Sequence, residues 1–198
     1  MTSTFKLIFA SGNEHKLSEI KEVIDPRINL IGMREIGFTG EIDEYGTTLD
    51  QNAKIKSDFI YNKYNSNCFS DDTGLEITSL NGDPGVYSAR YAGDNCSFDD
   101  NMNKVLDSLE KKLDRSAKFR TVINLWWKDQ NHSFEGLVEG TIGLDKKGIN
   151  GFGYDPIFTP NGATKTFAEM TQSEKSKHSH RALATKKLVE FLSEEINS

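Results

Sequence analysis

The chain has 198 residues, 36% hydrophobic and 27% charged, with a formal net charge of −6. That length is most simply one domain, whose core buries roughly 70% of the unfolded surface, and residues 1–198 are read as a single domain. The negative balance argues against a nucleic-acid partner, which needs a basic face, but leaves room for an anionic small ligand held by local lysines and a cation.

In chain order, Phe5-Lys6-Leu7-Ile8-Phe9-Ala10 reads as a buried strand, too short in its apolar run for a signal peptide or membrane span. No membrane partner is expected. The strand runs into Ser11-Gly12-Asn13-Glu14-His15-Lys16 and then a helical pattern to about Ile24, with Leu17, Ile20 and Ile24 on one stripe. A strand, a glycine-containing turn and a helix start form an anion site, because backbone N–H groups and the helix dipole point outward there. Lys16 adds a mobile point charge. The alternative is a plain strand-to-helix turn; no GxxxxGK[ST] pattern makes it a P-loop. Residues 29–33 read as a second strand. Glu41, Asp43 and Glu44 form an acidic cluster before Gly46, either a solvated loop or the source of a metal ligand. Thr48-Leu49-Asp50-Gln51 has the capping-box pattern and opens a helix to about Tyr64, with Asn52 and Lys56 on one face.

The chain is organised around Cys68-Phe69-Ser70-Asp71-Asp72-Thr73-Gly74. An apolar strand end is followed by two carboxylates, then a hydroxyl and a glycine free to take positive φ. Neighbouring side chains on a strand point to opposite faces, so Asp71 and Asp72 are expected to do different jobs. Such a pair holds a hard cation such as Mg²⁺, or else caps its own backbone in a turn. Asn81-Gly82 is a hairpin signal and Asp83-Pro84-Gly85 a turn. The two cysteines, Cys68 and Cys96, show neither metal spacing nor a disulfide framework, which fits a reducing, cytoplasmic setting.

Residues 98–113 read as an amphipathic helix on Met102, Val105, Leu106, Leu109 and Leu113, and residues 119–127 and 134–142 as strands, with Trp126-Trp127 in the core or at a subunit contact. A glycine-rich stretch leads into Phe152-Gly153-Tyr154-Asp155-Pro156. Thr171-Gln172-Ser173-Glu174 is a second capping-box pattern. Lys175, Lys177, His178, His180 and Arg181 then crowd together, as a solvated face or as an anion or base contact. Zinc at His178 and His180 is disfavoured for want of further ligands. The last helix packs on the body through Leu183, Ala184, Leu188, Val189 and Leu192. The order of elements gives an α/β protein with a mixed sheet.

Six stretches, taken together and in order, carry a resemblance. They are Ser11-Gly12-Asn13-x-x-Lys16, Asn52-Ala53-x-x-Lys56, Asp71-Asp72-Thr73-Gly74-Leu75, Pro84-Gly85-x-x-Ser88-Ala89-Arg90-Tyr91-Ala92-Gly93, Gly151-Phe152-Gly153-Tyr154-Asp155-Pro156 and Glu174-Lys175-x-x-x-Ser179-His180-Arg181. Together they resemble the inosine/xanthosine triphosphate pyrophosphatases, the Ham1-like enzymes that act on non-canonical purine nucleoside triphosphates. The resemblance implies an elongated mixed sheet flanked by helices with a central cleft between two lobes, commonly as a homodimer. It implies Mg²⁺-dependent hydrolysis of ITP, dITP and XTP to monophosphate and pyrophosphate. By resemblance, Asp72 is the general base and a metal ligand, and Glu44 a second metal ligand. Ser11, Gly12, Asn13, Glu14, His15 and Lys16, with Lys56, Thr73 and Lys175, hold the triphosphate. Phe152, Gly153, Tyr154 and Asp155, with His180 and Arg181, hold the base and sugar. Two positions depart from the family pattern: Ser11 replaces the commoner Thr and keeps its hydroxyl, and Gln51 replaces the commoner Glu, which would weaken the metal site if that Glu ligates the metal.

The residues suit this chemistry. Water attack at the α-phosphorus needs a base, charge neutralisation and in-line positioning. A carboxylate beside a cation stays ionised at neutral pH. Two other readings stand against it: a Maf-like pyrophosphatase acting on pyrimidine or modified nucleotides, whose opening loop has a Ser-x-Ser-Pro-Arg-Arg pattern absent here, and a non-catalytic nucleotide-binding regulator, which would have lost the base or metal ligands.

Overall fold

A computed structural model describes residues 4–198, apart from the side chains of His15 and Ser176. Its elements are β1 (Phe5–Phe9), α1 (Glu14–Lys21), β2 (Ile28–Gly32), α2 (Leu49–Tyr64), β3 (Cys68–Ile77), α3 (Phe98–Ser108), β4 (Ser116–Trp127), β5 (Gln130–Ile142), β6 (Phe158–Pro160), α4 (Gln172–Ser176) and α5 (His180–Asn197). The strands form one mixed sheet in the order β2-β1-β3-β4-β5-β6. β1 lies parallel to β2 and β3, while β5 and β6 are antiparallel. The fold is α/β. The chain forms two compact units: the first takes the residues up to Asp72 with Val122–Glu135 and Ala184–Ser198, the second Thr73–Thr121 and Gly136–Leu183.

In the first unit, β1 is covered on both faces, which is why it reads as one apolar run. Leu7 and Phe9 pack with Leu17 and Ile20 of α1, Phe69 of β3, Leu125 and Trp127 of β4, and Ala184, Leu188 and Leu192 of α5. Ile8 and Ala10 turn the other way, onto Ile60 of α2 and Cys68. α2 opens on Thr48, whose side chain accepts from the Gln51 N–H, and closes on Asn65 at φ 46°, whose N–H returns to the Tyr61 carbonyl. Asparagine tolerates this left-handed C-terminal position.

In the second unit, Leu75 and Ile77 of β3 meet Met102, Val105 and Leu109, with Phe119 of β4, Ile142 of β5 and the aromatic rings of Phe158 and Phe167. α3 starts on a complete capping box between Ser97 and Asp100. It stops at Ser108, short of the expected end, and Leu113 is fully exposed at 102% instead of lying on the apolar stripe. The cause is Arg115, whose guanidinium donates to the carbonyls of Leu109, Ile142 and Gly143 at 3.0, 2.8 and 2.6 Å. It satisfies the helix end and draws the chain into β4. Leu183 is likewise exposed, while Ala184, Leu188 and Leu192 carry the buried face of α5.

The hairpin expected at Asn81-Gly82 is a short return that builds no strand pair. Asn81 and Gly82 take positive φ (57° and 94°), but among the described residues the pairing across them stops at one bridge between Glu76 and Pro84, beside the Ile77 N–H that donates to the Asp83 carbonyl at 3.1 Å. Proline has no N–H with which to extend a ladder. The tight two-residue connection lies between β4 and β5 instead, at Lys128 and Asp129, with φ of 47° and 63°. Neither residue is the Gly or Asn that normally announces such a turn.

Candidate active site

The two adjacent aspartates are separated by strand geometry alone. The chain does not turn at Asp71; it stays extended through all ten residues of β3, and Gly74 is an ordinary strand position without positive φ. Alternation then aims Cys68, Ser70 and Asp72 at α2. The Cys68 thiol donates to the Ser57 carbonyl at 3.3 Å, the Ser70 hydroxyl donates to the Ala53 carbonyl, and Asp72 Oδ1 lies 3.6 Å from Lys56 Nζ. Burial pushes the Cys68 thiol up to about 12, so it is a packing group and not a nucleophile. Asp71 points the opposite way, and its Oδ2 accepts from Lys16 Nζ at 2.5 Å.

Lys16 is delivered by a self-capped turn. Ser11 Oγ accepts from the Asn13 N–H, and Asn13 Oδ1 accepts from the Lys16 N–H, each at 3.2 Å. Gly12, Asn13 and Glu14 are exposed, and Glu14 lies 3.7 Å from Arg34. The His15 side chain lies outside the described residues.

Lys56, which reads as a surface lysine in isolation, is the centre of the carboxylate cluster. Its ammonium donates to Glu44 Oε1 at 3.0 Å and faces Asp72 as well. Burial alone would lower its pKa, but the charges of Asp72, Glu44 and Asp71 outweigh burial and hold it above the ordinary lysine value. Two carboxylates therefore converge on one positive charge. That hard-oxygen set fits a divalent cation. Among the described residues no three His, Cys, Asp or Glu side chains group as a ready cage, so a cation held by Glu44 and Asp72 would complete its shell with water and phosphate oxygens, as Mg²⁺ does.

Gln51 does not close the expected reciprocal box with Thr48. Its Oε1 accepts from the Thr47 N–H at 2.7 Å and the Thr47 hydroxyl at 3.0 Å. An acceptor is what that position supplies here, and an amide oxygen suffices.

The second unit groups its residues around Lys175. Gly151 and Gly153 take φ of 80° and 63°, a double left-handed turn that suits glycine. The turn leaves the Phe152 ring 58% exposed. Asp155 is buried beneath it, with Oδ2 accepting from the Phe152 N–H at 2.9 Å and from Lys175 Nζ at 2.5 Å. Lys175 Nζ also lies 5.2 Å from the Phe152 ring centre and 5.4 Å from that of Phe167. Tyr154 is a core residue whose hydroxyl donates to the Ser88 carbonyl at 2.8 Å, and burial raises its pKa. His180 is 9% exposed and stacks on Phe119, with centroids 4.9 Å apart and planes 10° from parallel. Arg181 follows it, half-buried, in the first turn of α5. The Thr73 hydroxyl pairs with that of Thr121 at 2.8 Å.

Two supporting asparagines make contacts that their sequence positions do not announce. Asn101 pins the Ser88–Gly93 stretch through Oδ1 to the Ala92 N–H at 2.7 Å and Nδ2 to the Ala89 carbonyl at 3.2 Å. Asn52 receives the Gly46 N–H at 2.8 Å. A third feature, a cavity of about 450 Å³ in the second unit, is lined by Asp83, Tyr87, Arg90, Tyr91 and Lys104 among others.

With this geometry in place, comparison with known proteins decides the family: residues 7–191 match the profile of the Ham1 family. The chain belongs to the Ham1 family. It is 50% identical over 188 residues to the dITP/XTP pyrophosphatase of Christiangramia forsetii, covering 95% of this chain and 99% of that protein. It is 47% identical to the dITP/XTP pyrophosphatase of Porphyromonas gingivalis, covering 94% and 97%. Among solved structures, the Staphylococcus aureus Ham1 protein is similar with a TM-score of 0.92 at 39% identity, covering 96% of this chain and 99% of that one. Membership in the Ham1 family implies a divalent metal cofactor. Among the described residues no helix is long and apolar enough to cross a membrane.

Proposed function

We infer that the protein hydrolyses the non-canonical purine triphosphates dITP, ITP and XTP to the monophosphate and pyrophosphate, with Mg²⁺ as its metal. The reading is supported by relatives named for that activity across nearly the full chain. The single structural observation that carries it is the convergence of Glu44 and Asp72 on Lys56. Glu44 and Asp72 would hold Mg²⁺, which would supply charge neutralisation on the phosphate oxygens. Asp72 orients a water and takes its proton as oxygen bonds to the α-phosphorus and pyrophosphate leaves. Lys56 and Lys16 neutralise phosphate charge, helped by Ser11, Gly12, Asn13, Glu14 and His15 at the start of α1 and by Thr73 and Lys175.

For the base, the exposed Phe152 ring is the stacking surface. Gly153, Tyr154 and Asp155 frame the turn that presents it. His180 and Arg181 offer donors to the 6-oxo acceptor of hypoxanthine or xanthine. Adenine presents a 6-amino donor there, and one buried unpaired group costs roughly 1–3 kcal/mol, about one to two decades of discrimination. We place the enzyme in the cytoplasm, as a homodimer.

The test is pyrophosphate release from dITP, ITP, XTP, ATP, GTP, dTTP and UTP, each with and without Mg²⁺. Fast, metal-dependent release from the first three is expected. Release mainly from dTTP or UTP would transfer the protein to the pyrimidine-directed reading.

A further inference from the structure

Glu44 sits in a stretch without regular structure, residues 41–48, so nothing in the backbone ladder fixes where its carboxylate lies. The anchors are side chains of α2. Gln51 takes the Thr47 N–H at 2.7 Å, and Asn52 takes the Gly46 N–H at 2.8 Å. Two separate observations single out the Asn52 contact. First, Gly46 is pressed so closely on α2 that an added Cβ would lie 2.6 Å from Asn52 Oδ1, 2.7 Å from Gln51 Cβ and 3.0 Å from Asn52 N. Second, Asn52 is 1% exposed, yet its Nδ2 has no hydrogen-bond partner among the described residues. Burying an amide donor without an acceptor is unfavourable. The site therefore retains asparagine for its oxygen, whose orientation the Gly46 N–H dictates.

We propose that Asn52 is a positioning residue for the divalent-metal site: through Gly46 it holds the Glu44 loop at the distance from Asp72 that lets both carboxylates take the same cation. The inference rests on the reading of Glu44 and Asp72 as metal ligands. Lys56 stands one helical turn from Asn52 on the same face of α2 and spans Glu44 and Asp72 at 3.0 and 3.6 Å, so one helix sets both the loop and the charge between the carboxylates. Groups that orient a metal ligand without touching the metal are worth on the order of 10–100-fold in metal affinity.

The experiment measures Mg²⁺ and Mn²⁺ affinity calorimetrically, without nucleotide, on the wild type, Asn52→Ala, Gly46→Ala, Glu44→Gln and the double variants with Glu44→Gln. Melting temperatures in chelator confirm folding. Gly46→Ala keeps asparagine at 52 and forces the loop and α2 apart at their contact, so it carries the test if Asn52→Ala fails to fold. Each single variant is expected to lose on the order of tenfold in metal affinity, and neither Asn52→Ala nor Gly46→Ala loses more once Glu44 is already Gln. Wild-type affinity in Gly46→Ala, or an undiminished further loss in the Glu44→Gln background, overturns the positioning role while leaving the metal site standing. Unchanged affinity in Glu44→Gln itself overturns the metal reading and this inference with it.

Discussion

Both units bury a lysine against an aspartate at 2.5 Å, Lys16 on Asp71 in the first and Lys175 on Asp155 in the second. In the first, the pair stands beside a second cluster of charges, where Lys56 faces Glu44 and Asp72, and the surroundings are other ionised groups. In the second, the aspartate also accepts a backbone N–H from Phe152 and the lysine lies against two aromatic rings. The same salt bridge is thus built into an ionic setting in one case and an aromatic, glycine-turned one in the other. The first suits phosphate and a cation; the second suits a flat, polar-edged ring. Charge pairing by itself does not distinguish the two. What distinguishes them is whether the neighbours are charges or π faces.

Five substitutions test that contrast. The largest effect is expected for Asp72→Asn, which removes the proposed base from the ionic cluster. Turnover falls by about 10²–10⁴-fold with the melting temperature little changed, and steady-state pyrophosphate release beside thermal unfolding checks it. Next comes Lys16→Met. It strips the ammonium from a buried carboxylate, and breaking such a pair from one side costs about 3–5 kcal/mol. Denaturant titration should show that loss, and the double variant with Asp71→Asn should regain most of it. Lys175→Met should also lower stability in the same titration, with Asp155 keeping the Phe152 N–H. No loss at either lysine would remove the pairing on which the contrast rests.

Arg181→Ala is expected to narrow the preference for ITP over ATP by about one decade, read as a ratio of kcat/KM, with phosphate-dependent binding retained. An unchanged ratio would remove Arg181 from base recognition. The smallest effect concerns α4, which carries Lys175. Its capping carboxylate Glu174 is held down to about 2, first by the Thr171 N–H and then by Lys165. A lowered native pKa means that its stabilisation is present above the ordinary carboxylate value of 4.5 and is lost as pH falls toward 2. Glu174→Gln should flatten that part of the acid-unfolding curve.

Much of the site was legible because its residues are set by local rules. Alternation on β3 put Asp71 and Asp72 on opposite faces, and the structure sends them to different lysines. The cap at Thr48, the end of α2 at Tyr64 and the box at Thr171 were likewise readable from residue type and spacing. What escaped was decided by distant partners. Gly74 looked like a turn glycine because a strand that continues past two aspartates has no local signal; its extension comes from pairing in the sheet. Leu113 fits the apolar stripe perfectly well until Arg115 terminates the helix by bonding carbonyls more than twenty residues away. The turn at Lys128-Asp129 is imposed by the strands that flank it. Asn52 was visible beside Lys56 and in the stretch Asn52-Ala53-x-x-Lys56, but its bond to Gly46 was not, since that depends on how an irregular loop folds back.

On the proposed mechanism, water attacks the α-phosphorus and pyrophosphate leaves. Hydrolysis of ITP in heavy-oxygen water, followed by phosphorus NMR, tests it most directly. Inosine monophosphate carrying the heavy oxygen and unlabelled pyrophosphate are expected. Accumulation of inosine diphosphate with labelled inorganic phosphate would contradict it, because attack would then fall on the terminal phosphorus.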